Sequence, residues 1–452
     1  MSVVKKVAYY TYSPYPLAWE QIRVISPLKI LGIELIDGVC NGVVSLEPIN
    51  DAELVILERN FPGGFSQSIK VIEAAHDLGK PVVMNLDDDL LGLDFDHPDL
   101  MNSSFAFELV PILFALRAVD AVIVTTPLLQ SAIAQHNDHV YVLPNYLDDT
   151  IWPIKKIKRT DRNFPLTLMY FGTQSHQLDI EIISEPLKDL ALKYPGKLDF
   201  IFYGINAPAS LKNLAKVSFY PSVTHEYSEF AKLILEFDAD IAFAPLRDTV
   251  FNRNKSPLKY FEYTALGLPA VYSDIPPYKG VVQEGKTGLM ACSSEEWQDR
   301  LTSLVEHPDL RNTILEQAQD DIRQNHLLST HVNDWCDVYT EVVKRGVVNQ
   351  TDRVINLKLL EKIGHFVETA ANYEARQNSM LKQEIGDKAQ QNALLKQEVD
   401  NQTQQNSILK QDIDNLQSSL HETVNELVDN VTSTSWKITR PMRKVMRKLR
   451  RR

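Results

Sequence analysis

The feature that most constrains this chain is an alternation. From Val3 to Leu147, short aliphatic and β-branched runs (Val7 to Tyr10, Leu54 to Leu57, Val82 to Asn85, Ala121 to Val124, Val140 to Leu143) are separated by stretches with helical spacing. In Gln67 to Leu78, for example, Ile69, Ile72 and Ala75 recur three apart. Parallel strands need long crossovers, which helices normally supply, so this pattern predicts βαβ units on a parallel sheet. A second series follows, with Leu166 to Phe171, Leu198 to Tyr203, Ile241 to Pro245 and Ala270 to Tyr272. The expected fold class is therefore α/β, with two Rossmann-like domains, residues 1–150 and 165–345, facing across a cleft. The joint, Pro144 to Phe164, mixes Asp148, Asp149, Pro153 and five Lys or Arg without apolar periodicity, as a linker would. Ligands of open α/β sheets sit beyond the carboxyl ends of the strands, so the cleft is the default site.

The 452 residues are 44% apolar and 23% charged, which excludes a disordered or fibrous chain. Net charge is −12, yet Lys437 to Arg452 holds nine Lys or Arg and no acid, so residues 1–436 carry −21. An acidic body with a basic end argues against nucleic-acid binding and points to an anionic partner at the C-terminus alone. Cys40, Cys292 and Cys336 lie far apart and support neither a disulfide framework nor a zinc site, in keeping with a reducing compartment. Met1 to Trp19 lacks the apolar core of a secretory signal, and no run of eighteen apolar residues occurs. The expected location is cytoplasmic, with peripheral membrane contact.

After about residue 345 the composition shifts to Gln, Asn, Lys, Glu and Leu. Three fourteen-residue units start at Gln377, Gln391 and Gln405, each two heptads long. With Ile385, Val399 and Ile413 at position a, Leu381, Leu395 and Leu409 fall at d, and Asn378, Asn392 and Asn406 fill every second a position. This predicts a long α-helical coiled coil over 373–431 and a parallel homodimer, since paired Asn side chains fix register. Over 436–452, Trp436, Ile438, Met442, Val445, Met446 and Leu449 are interleaved with cations, as in an amphipathic tail on an anionic membrane surface.

The stretch Phe251 to Lys279, FNRNKSPLKYFEYTALGLPAVYSDIPPYK, is the most informative about chemistry. Ser256 and Pro257 read as cap and first residue of a helix over Leu258 to Leu266, which Gly267 ends. A helix N-terminus offers free N–H groups and a positive dipole end, which suit a diphosphate. Arg253, Lys255 and Lys259 surround it, an unfavourable placement unless an anion lies between them. Glu262 lies six residues past the cap, about 9 Å along the axis, a reach that suits a carboxylate accepting ribose hydroxyls.

This stretch resembles the donor helix of bacterial retaining glycosyltransferases of the group 4 type, which have two Rossmann-like domains in the GT-B fold. Glu262, within FEYTALGLP, matches the second Glu of the family's motif, whereas the first falls at Asn254. SDIPPYKGVVQEGKTGLM, Ser273 to Met290, and LPNYLDDTIW, Leu143 to Trp152, are similar to the family's segment after that helix and to its interdomain linker. FGTQSHQLD resembles the glycine loop that touches the diphosphate, with Gly172 and Thr173 at the matching positions. That loop lacks the relatives' Arg and Lys, so the cationic role falls to Arg253, Lys255 and Lys259. The implied donor-binding set is Gly172, Thr173, Arg253, Lys255, Ser256, Leu258, Lys259 and Glu262.

Asp87, Asp88 and Asp89 follow the strand PVVMN, where relatives place residues that touch sugar or acceptor. Substrate contact, metal binding and helix capping are all open readings for the triplet. Arg23 stands where it would meet an acceptor phosphate or lie on the surface, and His176 suits a phosphate ligand or a structural hydrogen bonder. No local nucleophile set or metal-ligand spacing is present, so neither a covalent enzyme intermediate, a metal nor a cofactor is expected. The resemblance implies a glycosyltransferase of the EC 2.4 class, retaining, that moves a hexosyl or deoxyhexosyl group from a nucleotide diphosphate sugar. Its acceptor would be a lipid-linked or polymeric glycan of the bacterial surface, such as O-antigen or capsule, at the inner face of the cell membrane. The alternative is a catalytically inactive scaffold of the same fold that recruits partners through its coiled coil and tail.

Overall fold

The computed structural model describes residues 4–98, 108–156, 164–223, 226–348 and 360–369, with helical pieces at 379, 381–383, 388 and 421–426. Residues 1–371 form one compact unit and residues 372–452 a second. Most of the expected coiled coil, including Ile385, Val399 and Ile413, and all of the basic tail lie outside the described residues.

The first unit contains two six-stranded sheets, and every pairing within them is parallel. Strands β1 (Lys6–Tyr10), β2 (Glu34–Asp37), β5 (Leu54–Glu58), β6 (Val82–Asn85), β7 (Ala121–Val124) and β8 (Val140–Val142) build the first, in the order β2-β1-β5-β6-β7-β8. A small antiparallel hairpin, β3 (Val39–Cys40) with β4 (Val43–Val44), follows β2. The second sheet comprises β9 (Leu166–Phe171), β10 (Leu198–Tyr203), β11 (Lys216–Tyr220), β12 (Ile241–Ala244), β13 (Ala270–Ser273) and β14 (Leu289–Ala291), in the order β11-β10-β9-β12-β13-β14. Order reverses between β1 and β5 in one sheet and between β9 and β12 in the other, and crevices open at such reversals.

Central strands such as β5, β6, β7 and β12 are buried along their whole length, because helices cover both faces of a parallel sheet. This explains their legibility as apolar runs. The edge strands β2 and β11 are half exposed and carry mixed residues, ELID and KVSFY, so the sequence pattern passes over them.

Packing joins the two halves more closely than a linker suggests. In the joint, Trp152 is fully buried and Asp148 is 1% exposed, accepting hydrogen bonds from Ser26 and Thr150. The last helix expected to belong to the second domain, Asn333–Arg345, packs instead against the first sheet. Its Trp335, Tyr339 and Val342 share a core with Val7, Tyr9, Val24 and Ile56, and Trp335 Nε1 donates to the carbonyl of Arg23 at 2.6 Å. Within the described residues no helix is long and apolar enough to cross a membrane.

Candidate functional site

The helix Leu258–Leu266 forms as its sequence suggests, ending at Gly267 with φ 82°, where a side chain would be strained. Its start differs from expectation. Pro257, not Ser256, occupies the cap position, and no side chain caps the first-turn amides. The Ser256 hydroxyl accepts instead from Asn145 Nδ2 at 2.8 Å. The uncommitted amides of the first turn therefore remain available to an anion.

Lys259 and Glu262, three apart, share one helix face. Glu262 is 6% exposed and accepts at 2.8 Å from the hydroxyl of Tyr227, which accepts in turn from Trp152 Nε1 at 2.9 Å. Burial pushes its carboxyl up to about 7, against the pull of Lys259 and the Tyr227 hydrogen bond. Lys259 Nζ donates to the carbonyl of Phe171 at 2.7 Å and lies about 5 Å from the ring centres of Tyr170 and Phe171. Burial pushes this ammonium down to about 8. Lys259 thus reaches the carboxyl end of β9 immediately before Gly172 and Thr173, and supplies the cation that the glycine loop itself lacks.

At Gly172 a Cβ would stand 2.9 Å from the ring and hydroxyl of Tyr170, so only glycine lets the loop lie this close. The Tyr170 hydroxyl is buried and has no hydrogen-bond partner among the described residues. Thr173 shares a hydrogen bond with Ser175 at 2.6 Å. His176 Nδ1 pairs with Asp179 at 2.8 Å, and Asp179 also accepts from the backbone of Arg247 and from Asn252. Burial lowers the imidazole pKa.

The acidic triplet of the first half faces this turn. Lys255 Nζ is 3.5 Å from Asp88 and 4.3 Å from the ring centre of Phe251, while Arg59 is 2.8 Å from Asp87 and 3.5 Å from Asp88. Burial works against the charge of Asp88, but Lys255, Arg59 and His176 together hold its carboxyl below the usual range. Burial raises the carboxyl of Asp87. Asp89 accepts from Asn254 Nδ2 at 2.8 Å and from the amide of Gly92 at 3.0 Å, so it both caps the turn Leu90–Gly92 and spans the cleft. Thr126 adds a hydrogen bond to the Asn254 carbonyl at 3.0 Å.

Two expected residues lie elsewhere. Arg253 is 55% exposed and forked onto Asp248 at 2.5 and 2.7 Å, whereas Lys255 pairs with Asp88. Arg23 is neither on the surface nor on an open wall. It is 1% exposed and donates to Asn85, Asn145 and the Leu143 carbonyl, forming with Glu58 a buried polar chain that ends at Ser256. Leu258 is half-buried at the first turn.

Tyr227 and Arg59 escape local motif reading. Each holds a site residue from a distant part of the chain, Glu262 and Asp87 respectively, and only the fold brings them together. Among the described residues no group of three His, Cys, Asp or Glu side chains is arranged to hold a metal.

Residues 207–337, which include the donor-type helix, match the family model of glycosyl transferase-like proteins. Anabaena Alr3699/HepE, crystallised with UDP and glucose, is 16% identical with a TM-score of 0.53, covering 75% of this chain and 100% of its own. Sucrose-phosphate synthase from Thermosynechococcus elongatus is 12% identical with a TM-score of 0.55 over the same shares. For TarM the values are 15% and 0.47, with 63% of this chain covered, and the chain spans about half of TarM's length. Curated protein sequences give no match. With two Rossmann-like halves the chain has the GT-B fold, and its residues 207–337, which hold the candidate donor helix, are similar to glycosyl transferase-like proteins.

Proposed function

We propose that the protein transfers a hexosyl or deoxyhexosyl group from a nucleotide diphosphate sugar to a growing bacterial surface glycan, without metal or cofactor and with retention of configuration. The observation that carries this reading is the convergence of Lys259, Glu262 and the Gly172 loop at one uncapped helix start. The diphosphate would sit on the first-turn amides beside Lys255 and Lys259, and Glu262 would accept the ribose hydroxyls. Donors placed where charge grows on a leaving diphosphate stabilise it at no reorganisation cost, each worth about 3 kcal/mol in comparable sites. The Tyr170 hydroxyl, buried without a partner among the described residues, would gain one from bound donor. UDP is the first nucleotide to try, because HepE, of the same fold, is known in complex with UDP and glucose.

The basic tail, by its sequence, would hold the enzyme at the anionic inner face of the cell membrane, where a lipid-linked acceptor is presented, and the heptads would pair two copies. Radiolabelled transfer from a panel of nucleotide sugars to membrane extracts tests the reading, and labelled glycan is expected from at least one donor.

One observation favours a second reading. Asn254 replaces the first Glu of the family's motif and is bound to Asp89. A scaffold that has given up catalysis would tolerate such a replacement. Absence of transfer from every donor, with UDP still bound, would establish the scaffold.

A further inference from the structure

Cations around a helix N-terminus oppose its dipole unless an anion lies among them. Each of the three cations expected around the helix Leu258–Leu266 has a partner. Arg253 pairs with Asp248 and Lys259 donates to the carbonyl of Phe171, both within the second half. Lys255 takes its partner from the first half, for its Nζ lies 3.5 Å from a carboxylate oxygen of Asp88. Burial opposes the charge of Asp88, yet Lys255, Arg59 and His176 hold its carboxyl below the usual range, so the group is an anion at neutral pH. A negative charge thus already stands at a cation that the donor's diphosphate requires.

The segment that carries Asp88 is clasped onto the turn before the donor helix. Asp89 accepts from Asn254 Nδ2 at 2.8 Å, and the Asn254 carbonyl accepts from Thr126 at 3.0 Å. Farther along, Asp96 accepts from both Nη atoms of Arg247 at 2.8 and 3.2 Å, and the ring of His97 meets Phe251 edge-on with centres 5.0 Å apart. Asn145 adds a hydrogen bond to Ser256 at 2.8 Å. Inside this clasp the side chains of Lys255 and Asp88 are 16% and 22% exposed, so salt screens their pairing only in part.

Asp88 can give up Lys255 without being stranded. Arg59 lies 3.5 Å from Asp88 and 2.8 Å from Asp87, so the first half keeps a cation beside Asp88 once Lys255 turns to a phosphate. A diphosphate brings more charge than one carboxylate and can use the first-turn amides as well, so it prevails in the exchange. Resting on the donor reading above, we propose that Asp88 is a resident stand-in for the donor phosphate. It occupies Lys255 across the cleft until a nucleotide diphosphate displaces it, and it lowers the affinity for any ligand that must take Lys255.

The test is calorimetric titration of the full chain with UDP. Asp88→Asn keeps the size of the side chain and leaves Arg59 on Asp87, so no cation of the first half loses its only carboxylate. UDP binding should tighten about tenfold, inside the roughly 5- to 150-fold range of coupling between interacting sites. Asp88→Ser, which also removes the charge, should repeat the gain and guards against misfolding of one variant. In a Lys255→Met background UDP should bind more weakly and the gain from Asp88→Asn should vanish, because Asp88 acts through Lys255. Unchanged or weakened UDP binding in both Asp88 variants, or a gain that survives in the Lys255→Met background, would each overturn the proposal. Failure of the unsubstituted protein to bind UDP would instead strike the donor reading.

Discussion

The substitution Glu262→Gln isolates the contribution of one buried charge. The amide side chain keeps the size of the carboxylate and can still accept from Tyr227, which donates at 2.8 Å, so the helix and its neighbours need not rearrange. What disappears is the charged acceptor proposed for the ribose hydroxyls. A hydrogen bond to a charged group contributes about 1.5–3 kcal/mol. Its loss should therefore raise the Kd for UDP roughly ten- to hundredfold, at about 1.4 kcal/mol per factor of ten. Titration sharpens the expectation. Burial holds the Glu262 carboxyl near 7, so acidification through that value protonates it and should weaken UDP binding to the natural protein. Burial also holds Lys259 near 8, so alkalinisation through that value removes a phosphate partner. Affinity should peak between the two values. An amide at this position cannot titrate, so the variant's acidic limb should shrink to that of the UDP terminal phosphate, which protonates at about pH 6, while the alkaline limb is kept. Isothermal titration calorimetry with UDP from about pH 5.5 to 9 spans both values and reads both limbs. Parallel pH profiles for the two proteins, or a Kd change below about twofold at slightly alkaline pH, would refute the role of Glu262.

Trp335→Ala should cost about 3–5 kcal/mol in urea unfolding of the first half, because the indole is buried against the first sheet and donates to the Arg23 carbonyl; a loss under about 1 kcal/mol would show that the helix Asn333–Arg345 is not part of that core. Removing residues 437–452 should abolish sedimentation with anionic vesicles while UDP binding persists, and retained sedimentation would count against the tail as an anchor. Changing Ile385, Val399 and Ile413 to Asp should halve the mass in light scattering, since charges at a positions break the seam; an unaltered mass removes the homodimer.

Much of this protein is legible without its structure. Buried parallel strands need unbroken apolar runs and their crossover helices need a 3.6-residue period, so nearly every central strand announces itself locally. The helix Leu258–Leu266 is equally local: its length, its Gly267 stop and the placement of Lys259 and Glu262 follow from spacing alone. Edge strands β2 and β11, with one side open to solvent, carry no such demand.

Tertiary structure alone decided which groups the site residues meet. Whether Arg23 lies on a surface or in a core depends on Asn85, Asn145 and the helix Asn333–Arg345, all far from it in sequence. That Ser256 binds Asn145 instead of capping its own helix, that Asp89 reaches Asn254, and that Tyr227 and Trp152 orient Glu262 are likewise long-range facts. Sequence periodicity records which face of an element is dry. Only the packed halves determine which polar groups, once dry, have each other as hydrogen-bond partners, because leaving them unpaired costs too much.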